Sequence, residues 1–109
     1  FDNYHLRVAD SLGCNTTRLL NLFRTNYDYY AYNEGFVNLY FKGDSDVVKW
    51  VNLRKNVVFD YIKSIKDLIR ELKPSIQLSA AFMPEGATDP QWADAYYAQN
   101  YSLNSELLD

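Results

Sequence analysis

The stretch Ile65-Lys-Asp-Leu-Ile-Arg-Glu-Leu-Lys-Pro-Ser-Ile-Gln-Leu-Ser-Ala-Ala-Phe-Met-Pro-Glu-Gly86 contains a change of period, and the fold turns on its reading. Up to Leu72 the apolar residues recur at helical spacing. Pro74 then blocks continuation, because it has no amide proton and restricts the backbone of Lys73. From Ile76 to Met83 the chain is uncharged and mostly apolar, which matches a short buried strand. Pro84-Glu85-Gly86 ends the run. The expectation is an α/β unit with one clear parallel-type strand. Ligand groups in parallel α/β folds converge where strands finish, so Glu85 is the first candidate functional residue.

Upstream, Asp44, Ser45 and Asp46 supply cap oxygens and negative charge where helix amides are unpaired. Val47, Trp50, Val51, Val58, Tyr61, Ile62, Ile65, Leu68, Ile69 and Leu72 then follow the helical period, which predicts one amphipathic helix over 46–72. Its apolar face should be buried, and Lys63, Lys66, Asp67, Arg70, Glu71 and Lys73 should form a solvated face. Tyr4, Val8 and Leu12 predict a helix that stops at Gly13, and Asn15, Thr16 and Thr17 can cap a second one through Phe23. The segment 25–43 breaks into Asn, Tyr and Gly, with Phe36–Phe41 read as a short strand or an extended loop. Downstream, Asp89-Pro90 is a helix start for 91–99, and Ser102 can cap a last helix.

The 109 residues suffice for one domain, and 48% hydrophobic residues support a core. The chain reads as a single domain or partial segment, with a helical, tyrosine-rich part over 1–43 and a helix-strand-helix unit over 44–109. Its start at Phe1 suggests a piece of a longer polypeptide. With Lys+Arg 11 against Asp+Glu 14, a net charge of −3 and a pI near 5.0, nucleic acid is not an expected partner. No apolar run approaches the roughly 20 residues of a membrane span. One cysteine, Cys14, and one histidine, His5, make neither an internal disulfide nor a zinc cluster, so no metal or cofactor is expected.

The chain carries 10 tyrosines, crowded at Tyr27, Tyr29, Tyr30 and Tyr32 and again at Tyr96, Tyr97 and Tyr101. A flat apolar ring with a polar tip suits sugar rings, which makes carbohydrate a candidate ligand class. The same rings would equally fill a core or a subunit contact. Asn15-Thr16-Thr17 and Asn100-Tyr101-Ser102 match the N-glycosylation acceptor pattern.

Trp50-Val-Asn-Leu-Arg54-Lys-Asn56-Val-Val58, the helix ending Leu-Lys-Pro74, Ile76-Gln-Leu-Ser-Ala-Ala-Phe82, and Tyr97-Ala-Gln99-Asn-Tyr101 ahead of Asp109 together resemble the later part of glycoside-hydrolase-like TIM barrels. The nearest type is the often secreted bacterial glycosyl-hydrolase-like families. The resemblance covers about Trp50 to Asp109, with a weaker echo over Phe1 to Arg24. It implies a helix-rich segment of a (β/α)8 barrel, an extracellular or cell-surface location, and action on a polysaccharide or glycan. Arg54 and Asn56 match the family's Arg-x-Asn, although Leu53 stands where a second Arg is expected. With Tyr97 and Gln99 they become candidate substrate-binding residues.

Glycoside hydrolysis needs two carboxyl groups flanking the bond. Glu85 is the candidate catalytic residue, whereas Asp89 reads as a helix cap and Asp94 as an interior helix position. The chain is therefore expected to be catalytically incomplete alone. The alternative reading is a non-catalytic carbohydrate- or protein-binding α/β module. With so little sheet to cover the long helix, self-association is also expected.

Overall fold

A computed structural model describes residues 2–25 and 36–109. The tyrosine cluster Tyr27, Tyr29, Tyr30 and Tyr32 lies outside the described residues. Among those described, the elements are all helical: α1 (Asn3–Ser11), α2 (Thr16–Thr25), α3 (Phe36–Phe41), α4 (Ser45–Leu72), α5 (Glu85–Thr88), α6 (Pro90–Tyr97) and α7 (Tyr101–Ser105). No strand occurs among them. The expectation of an α/β barrel segment is thereby corrected.

The physical reason lies in the backbone of Ile76–Met83. A strand exists only where its amides and carbonyls pair with another strand. Here the Leu78 amide donates to an Asp109 carboxylate oxygen at 2.7 Å, the Leu78 carbonyl accepts from the Asp109 amide at 2.9 Å, and the Met83 amide donates to Gln99 Oε1 at 2.9 Å. Side chains and a single distant amide meet those groups, and no ladder forms. Ile76 and Met83 are 49% and 41% exposed, so the apolar run is not the buried strand that its composition suggests. Phe36–Phe41 is likewise a helix rather than a strand. Phe36, Leu39 and Tyr40 fall three and four residues apart, and all three pack on the same core, which a two-residue period would not allow.

The chain divides into two compact units, 1–53 and 54–109, and α4 contributes residues to each. In the first, Ala9, Cys14, Leu19, Val47, Trp50 and Val51 form the buried core, flanked by half-buried Leu6, Leu22, Phe36, Leu39, Tyr40 and Leu53. Local chemistry sets the boundaries. Asp2 caps α1 by accepting from the His5 amide at 2.8 Å, and its second carboxylate oxygen lies 2.6 Å from His5 Nδ1. Gly13 ends the helical path at φ +87°, a left-handed conformation that disfavours a Cβ. Asp44 accepts from the Val47 amide at 3.1 Å and, with Asp46, binds the Arg18 guanidinium, tying α2 to the start of α4.

In the second unit the long helix corrects another expectation. Tyr61, Leu68 and Leu72, assigned to a buried stripe, are 68%, 55% and 69% exposed, whereas Lys66, assigned to the solvated face, is buried. Lys66 Nζ lies 2.8 Å from an Asp109 carboxylate oxygen. Its buried stem and paired tip replace the apolar contact that the periodicity implies.

Candidate functional site

The sequence candidates belong to the second unit, and α6 organises them. Asp89 caps this helix through the Trp92 amide at 3.2 Å, and Pro90 occupies its first turn, as the residue order predicts. Ala98 closes it at φ 56°, a left-handed conformation uncommon for a residue with a Cβ. The chain then reverses, and Asn100 starts α7 by accepting from the Leu103 amide at 2.7 Å.

This reversal is built around Asp94, which is buried. Lys55 Nζ approaches one of its oxygens at 3.2 Å, and Asn100 Nδ2 donates to both at 3.1 and 3.2 Å. Arg54 donates to the carbonyls of Ala95 and Tyr96 at 3.2 and 3.3 Å, satisfying acceptors at the end of α6 where a cation also suits the helix dipole. Arg54 therefore sits as an anchor between α4 and α6. Asn56, two residues on, is exposed, and no contact joins it to the other candidates among the described residues.

Tyr97 belongs to an aromatic group with Trp92 and Tyr96. Trp92 and Tyr96 stack with centroids 4.6 Å apart and planes 10° apart, and Tyr97 meets each edge-on at 5.5 and 4.8 Å. All three rings are half-buried. Tyr101 lies apart from them, edge-on to Phe82 at 6.1 Å.

Glu85 opens the single turn α5, and Gln99 comes to the same loop. Gln99 Oε1 accepts from the Met83 amide, two residues before Glu85. A Cβ on Gly86 would lie 3.4 Å from Tyr101 Cβ and 3.8 Å from the Gln99 carbonyl, so Gly86 marks a close approach of the two loops. Glu85 is half-buried, and its Oε2 is buried without a hydrogen-bond partner among the described residues. The fold thus brings the Glu85 loop to Gln99 and joins Arg54 to the Ala95 and Tyr96 carbonyls of the helix that carries Tyr97.

Sequence reasoning missed Asp94, Lys55, Asn100 and Asn104. Asp94 is flanked by Ala93 and Ala95, both buried, and small neighbours around a helical carboxylate are the one signal of close packing there. Asn104 is also buried; its Nδ2 donates to the Asn100 carbonyl at 2.8 Å, while Oδ1 has no hydrogen-bond partner among the described residues. In the first unit, the Cys14 thiol donates to the Asp46 carbonyl at 3.7 Å while His5 is held by Asp2, so the two do not form a nucleophile pair. Burial, with the nearby Asp46 charge, pushes the Cys14 thiol up, away from a reactive thiolate.

The chain matches no protein-family model, no curated protein and no solved structure. No helix among the described residues is long and apolar enough to cross a membrane.

Proposed function

We propose that this chain is a carbohydrate-contacting segment of a glycoside-hydrolase-like protein, with Glu85 as the carboxyl group that reaches the sugar, and that it does not complete hydrolysis alone. The observation that carries this reading is the buried, unpartnered Oε2 of Glu85. A buried acceptor without a donor is unfavourable, and a ligand hydroxyl would satisfy it. Gln99 holds the Met83 amide two residues before Glu85, which fixes the start of this loop without a ligand. Hydrolysis would need a second carboxyl group facing the same bond. Asp94 is committed to Lys55 and Asn100 and Asp89 to its helix cap, which supports contact rather than complete catalysis. The sequence resemblance adds an extracellular or cell-surface setting to this proposal.

The Trp92, Tyr96 and Tyr97 group favours a second reading, a non-catalytic carbohydrate- or protein-binding module in which the aromatic edges rather than Glu85 make the contact. Titration of the chain with a panel of neutral oligosaccharides, followed by amide chemical shifts, separates the two. The first reading expects saturable shifts at 83–86 and 99–101 that Glu85→Gln weakens, with no reducing ends released. Shifts confined to 92–97 would support the second. Absence of saturable shifts across the panel in a folded sample would remove both carbohydrate readings.

A further inference from the structure

We propose that Asn15 is the position at which this chain accepts an N-linked sugar, and that the fold closes Asn100, which heads the same kind of triplet, to that reaction. The sequence pattern alone does not separate the two. Asn100 uses its amide nitrogen to bind both oxygens of buried Asp94 and its amide oxygen to cap α7, so its whole side chain is occupied within the fold. Asn15 is exposed. Its Oδ1 accepts from the Arg18 amide at 3.0 Å, but its Nδ2, the atom that would carry a sugar, has no hydrogen-bond partner among the described residues. Thr17, which supplies the hydroxyl the triplet requires, is exposed and its hydroxyl makes no hydrogen bond among the described residues, whereas Thr16 donates to an Asp10 carboxylate oxygen at 2.8 Å. Asn15 and Thr17 also line an open groove with Arg18, Asn21 and Leu22, giving a transferring enzyme access from solvent.

This discrimination exists only in the folded chain, so the donor class it suits acts after folding: a soluble nucleotide sugar. The Asn15 amide nitrogen attacks the anomeric carbon. A C–N bond forms, the anomeric C–O bond to the diphosphate breaks, the nucleoside diphosphate leaves, and the amide proton passes to a base on the transferring enzyme. Oxidation states do not change. The proposal is independent of any sugar contact at Glu85.

The test incubates the purified folded chain with a soluble N-glycosyltransferase and UDP-glucose, under conditions in which both isolated tryptic peptides are glucosylated, and maps occupancy by peptide mass spectrometry. The expected result is hexose on Asn15 at least about tenfold faster than on Asn100, since Asn100 must await local opening, with no such bias in the peptides. Asn15→Gln should remove the fast modification of the folded chain and leave only the slow occupancy of Asn100. Comparable occupancy of Asn100 in the folded chain would overturn the proposal, as would a folded chain unmodified at Asn15 when its peptide reacts.

Discussion

Two carboxylates a few residues apart illustrate how differently one side-chain type serves the chain. Glu85 holds a buried oxygen without a donor among the described residues, while Asp94 is the acceptor for Lys55 and Asn100. Asp94→Ala should therefore destabilise the second unit by about 3 to 5 kcal/mol, because the largely buried Lys55 charge and the Asn100 amide lose their partner. Glu85→Ala should not destabilise the fold, and loss of the unpaired buried oxygen should leave it as stable as the parent or more so. Urea melts followed by circular dichroism give both numbers, and a Glu85 variant as unstable as the Asp94 variant would make Glu85 a structural residue. Asp44 supplies a pH signature. The Arg18 guanidinium holds its carboxyl below the usual carboxylate range, and Lys66 does the same for Asp109. A carboxyl with a lowered folded pKa contributes stability that is present above its unfolded value of about 3.9 and is lost as pH falls through the folded value. The urea midpoint should thus decline on acidification below that value. Arg18→Ala should flatten the decline, and an unchanged acid slope would show that the Arg18 pairing adds no stability.

Among the elements, α4 is the one whose two halves behave differently. Its first turns place Val47, Trp50 and Val51 in the core of the first unit, against Leu19 of α2. Its later turns leave Leu68 and Leu72 exposed while Lys66 is buried. Leu19→Ala should cost about 2 to 5 kcal/mol, since it opens a fully buried site. Leu68→Ala should cost under about 1 kcal/mol, because over half of that side chain already meets water. Thermal melts of the two variants, at a concentration where sedimentation shows the monomer, check the contrast; equal losses there would mean that Leu68 is covered within the chain itself. The caps at Asn15, Asp44 and Asp89 were legible because each acts on amides within three residues, whereas the Asp2 cap of α1 was seen only in the structure. The hydrogen bonds around Asp94 were not, because Lys55 reaches it across 39 positions.

For the whole molecule, self-association is the expected outcome of the exposure of Tyr61, Leu68 and Leu72 along α4, together with Ile76, since exposed apolar side chains favour a covered state. Sedimentation equilibrium at micromolar concentration should show a mass above that of one chain, reduced towards the monomer by Leu68→Glu with Leu72→Glu. A concentration-independent monomer would end that reading.

The sequence by itself determined the starts of α2, α4 and α6 and the ends of α1 and α4, because capping oxygens, Gly13 and Pro74 act on their immediate neighbours; it did not show α3 or α5, and it put the cap of α7 at Ser102 where Asn100 provides it. It also determined that Ile76–Met83 would not be helical. What that segment became was decided by tertiary structure. Its composition describes a strand, but a strand needs a second backbone, and Asp109 and Gln99 meet its polar groups instead. The burial of Lys66 and the exposure of Leu68 follow the same logic. Periodicity fixes which residues share a face, whereas neighbours distant in sequence fix which face is covered.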